Sequence, residues 1–220
     1  MPRLSTAACP SCAGGSPQGL RCGQCLARPP AFDETVAAFF YRFPLDKLIL
    51  SFKFNENLAL TPLFSDALLL AVSRRAYEAG RAMPDRVIAL PLASTRLAER
   101  GFNQSALVAE RIAKKLGVAS SARGLLKIRE TPPQAGLGRE ARLKNVRGAF
   151  DCGESIAGQH IAIVDDVMTT GATMSEAARV LKNAGASYVS AWVVARADRL
   201  SPQLGVNADG NVDGDGAIPF

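Results

Sequence analysis

The sequence predicts a mostly parallel α/β sheet flanked by helices, preceded by a small cysteine-bearing appendage. Three observations lead there. From Arg86 onward, short apolar runs alternate with amphipathic segments, the order that builds parallel sheets. One run, HIAIVDD (160–166), is almost continuously apolar before its acids, as a strand covered on both faces requires. Four of the five cysteines fall within the first 30 residues, which show no hydrophobic periodicity.

The elements follow in order. Residues 1–30 form the appendage, PPAF (29–32) marks a boundary, and residues 31–199 form the α/β domain. TVAAFFYRF reads as a strand and PLDKLILSFKF as a short helix after Pro44. Leu58 to Ala79 gives a longer helix, with Pro62 tolerable in its first turn. RVIALP is a short buried strand, and NQSALVAERIAKKLG an amphipathic helix closed by Gly117. GLLKIRE (124–130) is a candidate strand, followed by the loop TPPQAGLG, expected to be mobile, and a basic helix, REARLKNVRG. After HIAIVDD come a helix, TMSEAARVLKNAGA, ended by Gly185, and a strand, YVSAWVVAR. Residues 200–220, rich in Gly, Asn and Asp, are expected to be a disordered tail.

The 220 residues are 48% hydrophobic, which excludes the disordered class. The net charge is +6, and from Leu200 on there are three aspartates and no lysine or arginine, so residues 1–199 carry +9. Such a body suits anionic partners, phosphates or nucleic acid, although many proteins of this charge bind neither. MPRLSTAACP lacks an apolar stretch of about 7–15 residues, and no segment reaches the roughly 18 apolar residues of a membrane span. A cytoplasmic protein is expected, with reduced thiols and metal binding favoured over disulfides.

Cys9-Pro-Ser-Cys12 and Cys22-Gly-Gln-Cys25 are two C-x-x-C knuckles, each offering two sulfurs at one turn. This matches a closed, structural four-thiolate zinc site, and so small a fragment would draw its folding energy from the metal. Cys152 stands apart and reads as a buried, inert thiol.

Asp165 and Asp166 end an apolar strand, where burying carboxylates is costly unless something uses them. Ligands of parallel sheets sit outside the carboxyl ends of the strands. Thr169, Thr170, Gly171, Ala172 and Thr173 then lead into a helix whose first N–H groups, with the threonine hydroxyls, form a phosphate cradle. No G-x-x-x-x-G-K-[ST] loop occurs. Adjacent carboxylates beside a phosphate site suit a sugar phosphate. An ordinary strand–turn–helix explains neither both acids nor three threonines.

The stretch IAIVDDVMTTGAT resembles the 5-phosphoribosyl diphosphate (PRPP) motif of type I phosphoribosyltransferases. The resemblance implies that Asp165 and Asp166 hold the ribose hydroxyls, that Thr169 to Thr173 hold the 5-phosphate, and that Mg²⁺ arrives with PRPP. It also implies a pyrophosphate loop at Pro91, Leu92, Ala93 and Ser94, with Arg96 and Arg100 as phosphate ligands. A solvated helix face explains those two arginines equally well. Arg123 to Arg147 holds seven basic and two acidic residues; Arg139, Arg142 and Lys144 either reach phosphates or face solvent.

The order of a four-cysteine N-terminus, RGFNQ (100–104), Gln134, Leu137, Arg142 and Asn145, and then the PRPP motif resembles the ComF family, including its GntX relatives. That resemblance implies a type I phosphoribosyltransferase-like sheet behind a zinc ribbon. It further implies natural competence: handling incoming single-stranded DNA beside a helicase or other DNA-uptake proteins. No motif for reading an acceptor base is recognisable, and the only histidine, His160, reads as a surface residue. Three functions stay open: a transferase joining ribose 5-phosphate to a nitrogen base, a PRPP-binding module without turnover, and a single-stranded DNA-handling factor in which Phe102 lies among basic residues.

Overall fold

Strand β1 (Glu34–Phe40) follows the ribbon, which includes the one-turn helix α1 (Gly23–Ala27), and leads to helices α2 (Leu45–Phe54) and α3 (Leu60–Ala79). In the computed structural model, residues 8–54, 57–131 and 144–197 are described. Then come β2 (Arg86–Ala89), α4 (Ser94–Arg100), α5 (Gln104–Leu116), β3 (Ala119–Ser121), β4 (Leu126–Lys127), β5 (Phe150–Asp151), β6 (His160–Met168), α6 (Ala172–Asn183) and β7 (Tyr188–Arg196). The main sheet has the order β1-β7-β6-β2-β3, with every pairing parallel.

Period-two alternation divides the central strands between two cores. Ala162 and Val164 of β6 join Ile49, Phe52, Phe64 and Ile112 under α2, α3 and α5. Ile161 and Ile163 join Ala177 and Leu181 of α6 on the other face. The continuous apolar spelling of β6 is the result: every residue from Ile161 to Val164 is buried.

The ribbon shares the second of these cores. Cys9, Cys12 and Cys25 are buried among the α6-side residues. Ser11 O accepts from Thr35 Oγ1 at 2.7 Å, and Pro10 O from the Thr35 N–H at 3.4 Å, which seats the knuckle on β1.

Two expectations need correction. GLLKIRE supplies only the two residues of β4, paired antiparallel with β5 outside the main sheet. The sheet's edge is instead β3, whose ASS sequence carries no apolar signal. Residues 94–100 form α4, so Arg96 and Arg100 stand on a helix, and of the loop assigned to pyrophosphate only Ser94 falls within it. His160 is half-buried, because β7 lies alongside: its Nε2 is 2.7 Å from Ser190 Oγ, and its ring meets Tyr188 edge-on. Residues 144–146 are helical, whereas TPPQAGLG after Thr131, with Gln134, Leu137, Arg139 and Arg142, lies outside the described residues, as does the 200–220 tail. Among the described residues, no helix is long and apolar enough to cross a membrane.

Candidate functional site

The crevice arises from strand lengths. β2 stops at Ala89 opposite Val164, and the Leu90 N–H makes the last bond to Val164 O at 2.8 Å. β6 runs on to Met168 with β7 as its remaining strand partner. The chain leaves β2 toward β3 and leaves β6 toward β7, in opposite directions, so a switch point opens between β2 and β6, where open α/β sheets take their ligands. Asp165 and Asp166 lie on its β6 wall. Pro91, Leu92 and Ala93 leave the end of β2 on the other side.

The acids are therefore not at the end of their own strand, but at the end of their neighbour's. Asp166 is 6% exposed. Its Oδ1 is 3.0 Å from Lys53 Nζ at the end of α2, and its Oδ2 accepts from Gln104 Nε2 at 2.8 Å. Asp165 Oδ1 accepts from Ser105 Oγ at 3.0 Å and from the Asp166 N–H at 2.9 Å. Burial, and after it the Asp166 carboxylate, push the Asp165 carboxyl up to about 7, against the opposing pull of Lys53. Gln104 is fully buried, and its Oε1 has no donor among the described residues.

The start of α5 explains how Gln104 and Ser105 arrive there. Asn103 caps the helix by accepting from the Ser105 and Ala106 N–H groups, while its Nδ2 donates to Leu90 O at 3.1 Å. A single side chain thus fixes the first turn of α5 to the end of β2. Sequence reasoning missed Lys53, Gln104 and Ser105 as partners of the acid pair. Gln104 lay within the quoted RGFNQ stretch; Lys53 gave no signal beyond being a cation on an apolar helix.

The second wall is the β6–α6 loop. Gly171, with φ +77, is the N-cap of α6, in a conformation that side chains rarely adopt. It offers no side-chain acceptor to the helix's first turn. Thr170 Oγ1 accepts from the Ala172 N–H at 3.3 Å. Thr169 is exposed, and Thr170 and Thr173 are half-buried, so hydroxyls, backbone donors and a helix N-terminus share one end of the sheet. Met168 O and Thr169 O point the other way and accept from Nη1 of the buried Arg196.

The segment assigned to pyrophosphate already holds an anion. Glu130 Oε1 accepts from the Ser94 N–H at 2.7 Å and from Ser94 Oγ at 2.6 Å. Arg96 is exposed. Arg100 lies over the Phe54 ring at 4.8 Å, half-buried, with Asp166 and Asp165 among the charges that act on it. Arg129 closes the base of the basic segment, donating from Nη2 to Asn145 O at 2.8 Å and to Arg147 O at 2.7 Å.

The four ribbon cysteines come together as their spacing predicts. Their sulfurs all lie within 4.8 Å of one another, and those of Cys12 and Cys22 are 3.7 Å apart. A tetrahedral thiolate site with a metal–sulfur distance of about 2.3 Å has edges of about 3.8 Å. The Cys22 N–H donates to Cys9 Sγ at 3.3 Å. The cluster is thus able to hold a metal ion. Cys152 Sγ, by contrast, donates to Glu154 O.

The sequence pattern of the phosphoribosyl transferase domain matches residues 102–209, a span that starts at the RGFNQ segment and includes the whole β6–α6 loop. The DNA utilization protein YhgH of Salmonella typhi is 36% identical over 197 residues, 88% of this chain and 86% of that protein. Competence protein F of Haemophilus influenzae is 31% identical over 179 residues, 80% of this chain and 78% of its own length. The chain belongs to the ComF family. Its domain has the phosphoribosyltransferase fold, and in this ComF protein the fold carries a four-cysteine ribbon on the α6 side of the sheet. Among solved structures, a purine phosphoribosyltransferase from Pyrococcus horikoshii Ot3 aligns over 64% of this chain and 79% of that one, at 19% identity and a TM-score of 0.38.

Proposed function

We propose that this ComF-family protein binds PRPP, accompanied by Mg²⁺, in the crevice between β2 and β6, and that it serves DNA uptake. The observation that carries the reading is the meeting of an acid pair and a threonine-rich helix N-terminus at the sheet's switch point. Asp165 and Asp166 take the ribose hydroxyls. The donorless Gln104 Oε1 beside them suits a hydroxyl, since buried acceptors are otherwise satisfied. Thr169 to Thr173 take the 5-phosphate. Pyrophosphate takes Pro91 to Ser94 in place of the Glu130 carboxylate, with Arg100 at its side. A zinc ion in the ribbon is structural: all four ligands are protein thiolates, which leaves no open position.

The DNA role rests on relatives named for DNA utilization and competence, and on the chain's positive charge. It implies single-stranded DNA as a ligand and a helicase or other uptake protein as a partner. Turnover is a further step, in which a nitrogen nucleophile would displace pyrophosphate from the ribose carbon. His160 opens β6 five residues before the acid pair, roughly 16 Å along the strand, too far to serve it as a base.

Thermal melts with PRPP and Mg²⁺ test the binding reading. A ligand at 100 times its Kd adds about 2.7 kcal/mol, a shift of several degrees in a domain of this size. Asp166→Asn should fold and lose most of that shift. Ribose 5-phosphate should stabilise the wild type less, and Thr173→Val should weaken both ligands. A wild type that melts at the same temperature with and without PRPP would sink the proposal. Product analysis with labelled PRPP and a panel of bases then separates turnover from binding.

A further inference from the structure

Arg196 is the last residue of β7 and is 1% exposed. Burying a guanidinium is costly unless its donors are used. Here they reach two parts of the chain that are far apart in sequence. Nε donates to Cys12 O at 2.7 Å, inside the first metal knuckle. Nη1 donates to Met168 O at 2.8 Å and to Thr169 O, the residues that lead into Gly171 and α6, and to Ala197 O at 2.7 Å. Nη2 faces the knuckle: a Cβ on Gly14 would lie 3.7 Å from it and 3.4 Å from Cys12 Sγ.

Two properties make this a link. The guanidinium is a rigid planar fork, so a shift of the Cys12 carbonyl cannot be absorbed without moving the donors aimed at Met168 and Thr169. Charge also ties it to the metal. Four thiolates and a divalent ion leave the cluster at −2, and a buried cation beside it offsets that charge.

We infer that Arg196 is a positioning residue through which metal in the four-cysteine ribbon sets the shape of the anion loop at Met168–Gly171, so that metal loading and phosphate binding strengthen each other. Coupling of this kind is reciprocal: the factor by which metal raises phosphate affinity equals the factor by which phosphate raises metal affinity. The phosphate half rests on the PRPP reading above; the structural half does not.

Hydrogen exchange on the full zinc-loaded chain separates the two. In the wild type, chelation should speed exchange at residues 168–173 at least tenfold while α5 keeps its protection. Arg196→Lys, with zinc still bound, should show the same loosening, because lysine keeps the charge but cannot span both carbonyl sets. Arg196→Met should in addition release zinc to a chelator at least tenfold faster. Ribose 5-phosphate affinity should fall about tenfold on chelation and in Arg196→Lys. Unchanged exchange at 168–173 in zinc-loaded Arg196→Lys overturns the inference, and that variant also decides the matter if chelation unfolds α5. If the wild type fails to bind ribose 5-phosphate, the PRPP reading falls, and the exchange arm still decides the coupling.

Discussion

Lys53 Nζ lies 3.0 Å from Asp166 Oδ1, with the two side chains 21% and 9% exposed. A cation from the end of α2 thus holds one of two adjacent carboxylates at the mouth of the sheet. The pair of acids is tolerated because α2 and α5 both reach it.

Lys53→Met keeps the aliphatic stem and leaves Asp166 to Gln104 alone, beside Asp165. Removing one partner of a poorly solvated pair is costly, and the partial exposure of Lys53 reduces the cost to roughly 1–3 kcal/mol. Adding Asp166→Asn should restore most of the loss. Denaturant melts of the two single variants and the double variant measure the coupling. A double variant no more stable than Lys53→Met counts against the pair.

Asp165 gives stability a pH dependence of unusual sign for a carboxyl. Burial and Asp166 hold its folded value near 7, against an ordinary 3.8. Well below the ordinary value it is protonated in both states and contributes nothing. As pH rises from there toward 7, the unfolded chain ionises while the folded one resists, so stability falls, and the loss is complete above 7. Asp165→Asn cannot ionise. Its melting temperature should exceed that of the wild type by several degrees at pH 8 and by much less at pH 5. A gap independent of pH would show that Asp165 ionises normally in the folded chain.

Metal loss should destabilise the sheet as well as the ribbon, because Cys9, Cys12 and Cys25 belong to the α6-side core. Protein purified without added zinc should carry about one equivalent, and Cys9→Ser/Cys12→Ser should lose it. A chelator should then lower the wild-type melting temperature and leave that of the variant unmoved. Metal-free native protein melting at the wild-type temperature is the contrary result.

Phe43 and Phe54 are 76% and 63% exposed, and Phe54 is stacked under Arg100. Exposed rings beside cations suit unpaired bases, at about 1–3 kcal/mol per stacked base. Phe54→Ala should weaken binding to oligothymidylate about tenfold without changing the melting temperature. Binding to both proteins should fall steeply as salt rises, through counterion release. Salt-insensitive binding, or none at low salt, removes single-stranded DNA as a direct ligand.

Local pattern made the central strands, the knuckles and the threonine loop readable, because each is written in consecutive residues. IAIV (161–164) is apolar throughout because both faces of β6 are covered. What stayed hidden depends on residues distant in sequence. β3 is a strand only because β2 lies beside it; nothing in Ala119–Ser121 asks for burial. Asp166 finds Gln104 62 residues away, and Ser94 finds Glu130 36 residues away. Neither pairing leaves a periodicity to read. The helix that follows the loop assigned to pyrophosphate leaves no periodicity either: STRLAER buries none of its residues, so no apolar face marks it.

Glu34 of β1 pairs with Ser190 of β7, and among the described residues β7 is the only strand beside β1 in the sheet. During synthesis at about 5–20 residues per second, β1 therefore waits roughly 8–30 s for its partner to be made. Throughout that wait TVAAFF is an unpaired apolar edge, while the knuckles, complete at Cys25, are already able to take up metal. The first and last strands of the sheet meet in its last seam to close, so a deletion that reaches either β1 or β7 opens the same seam.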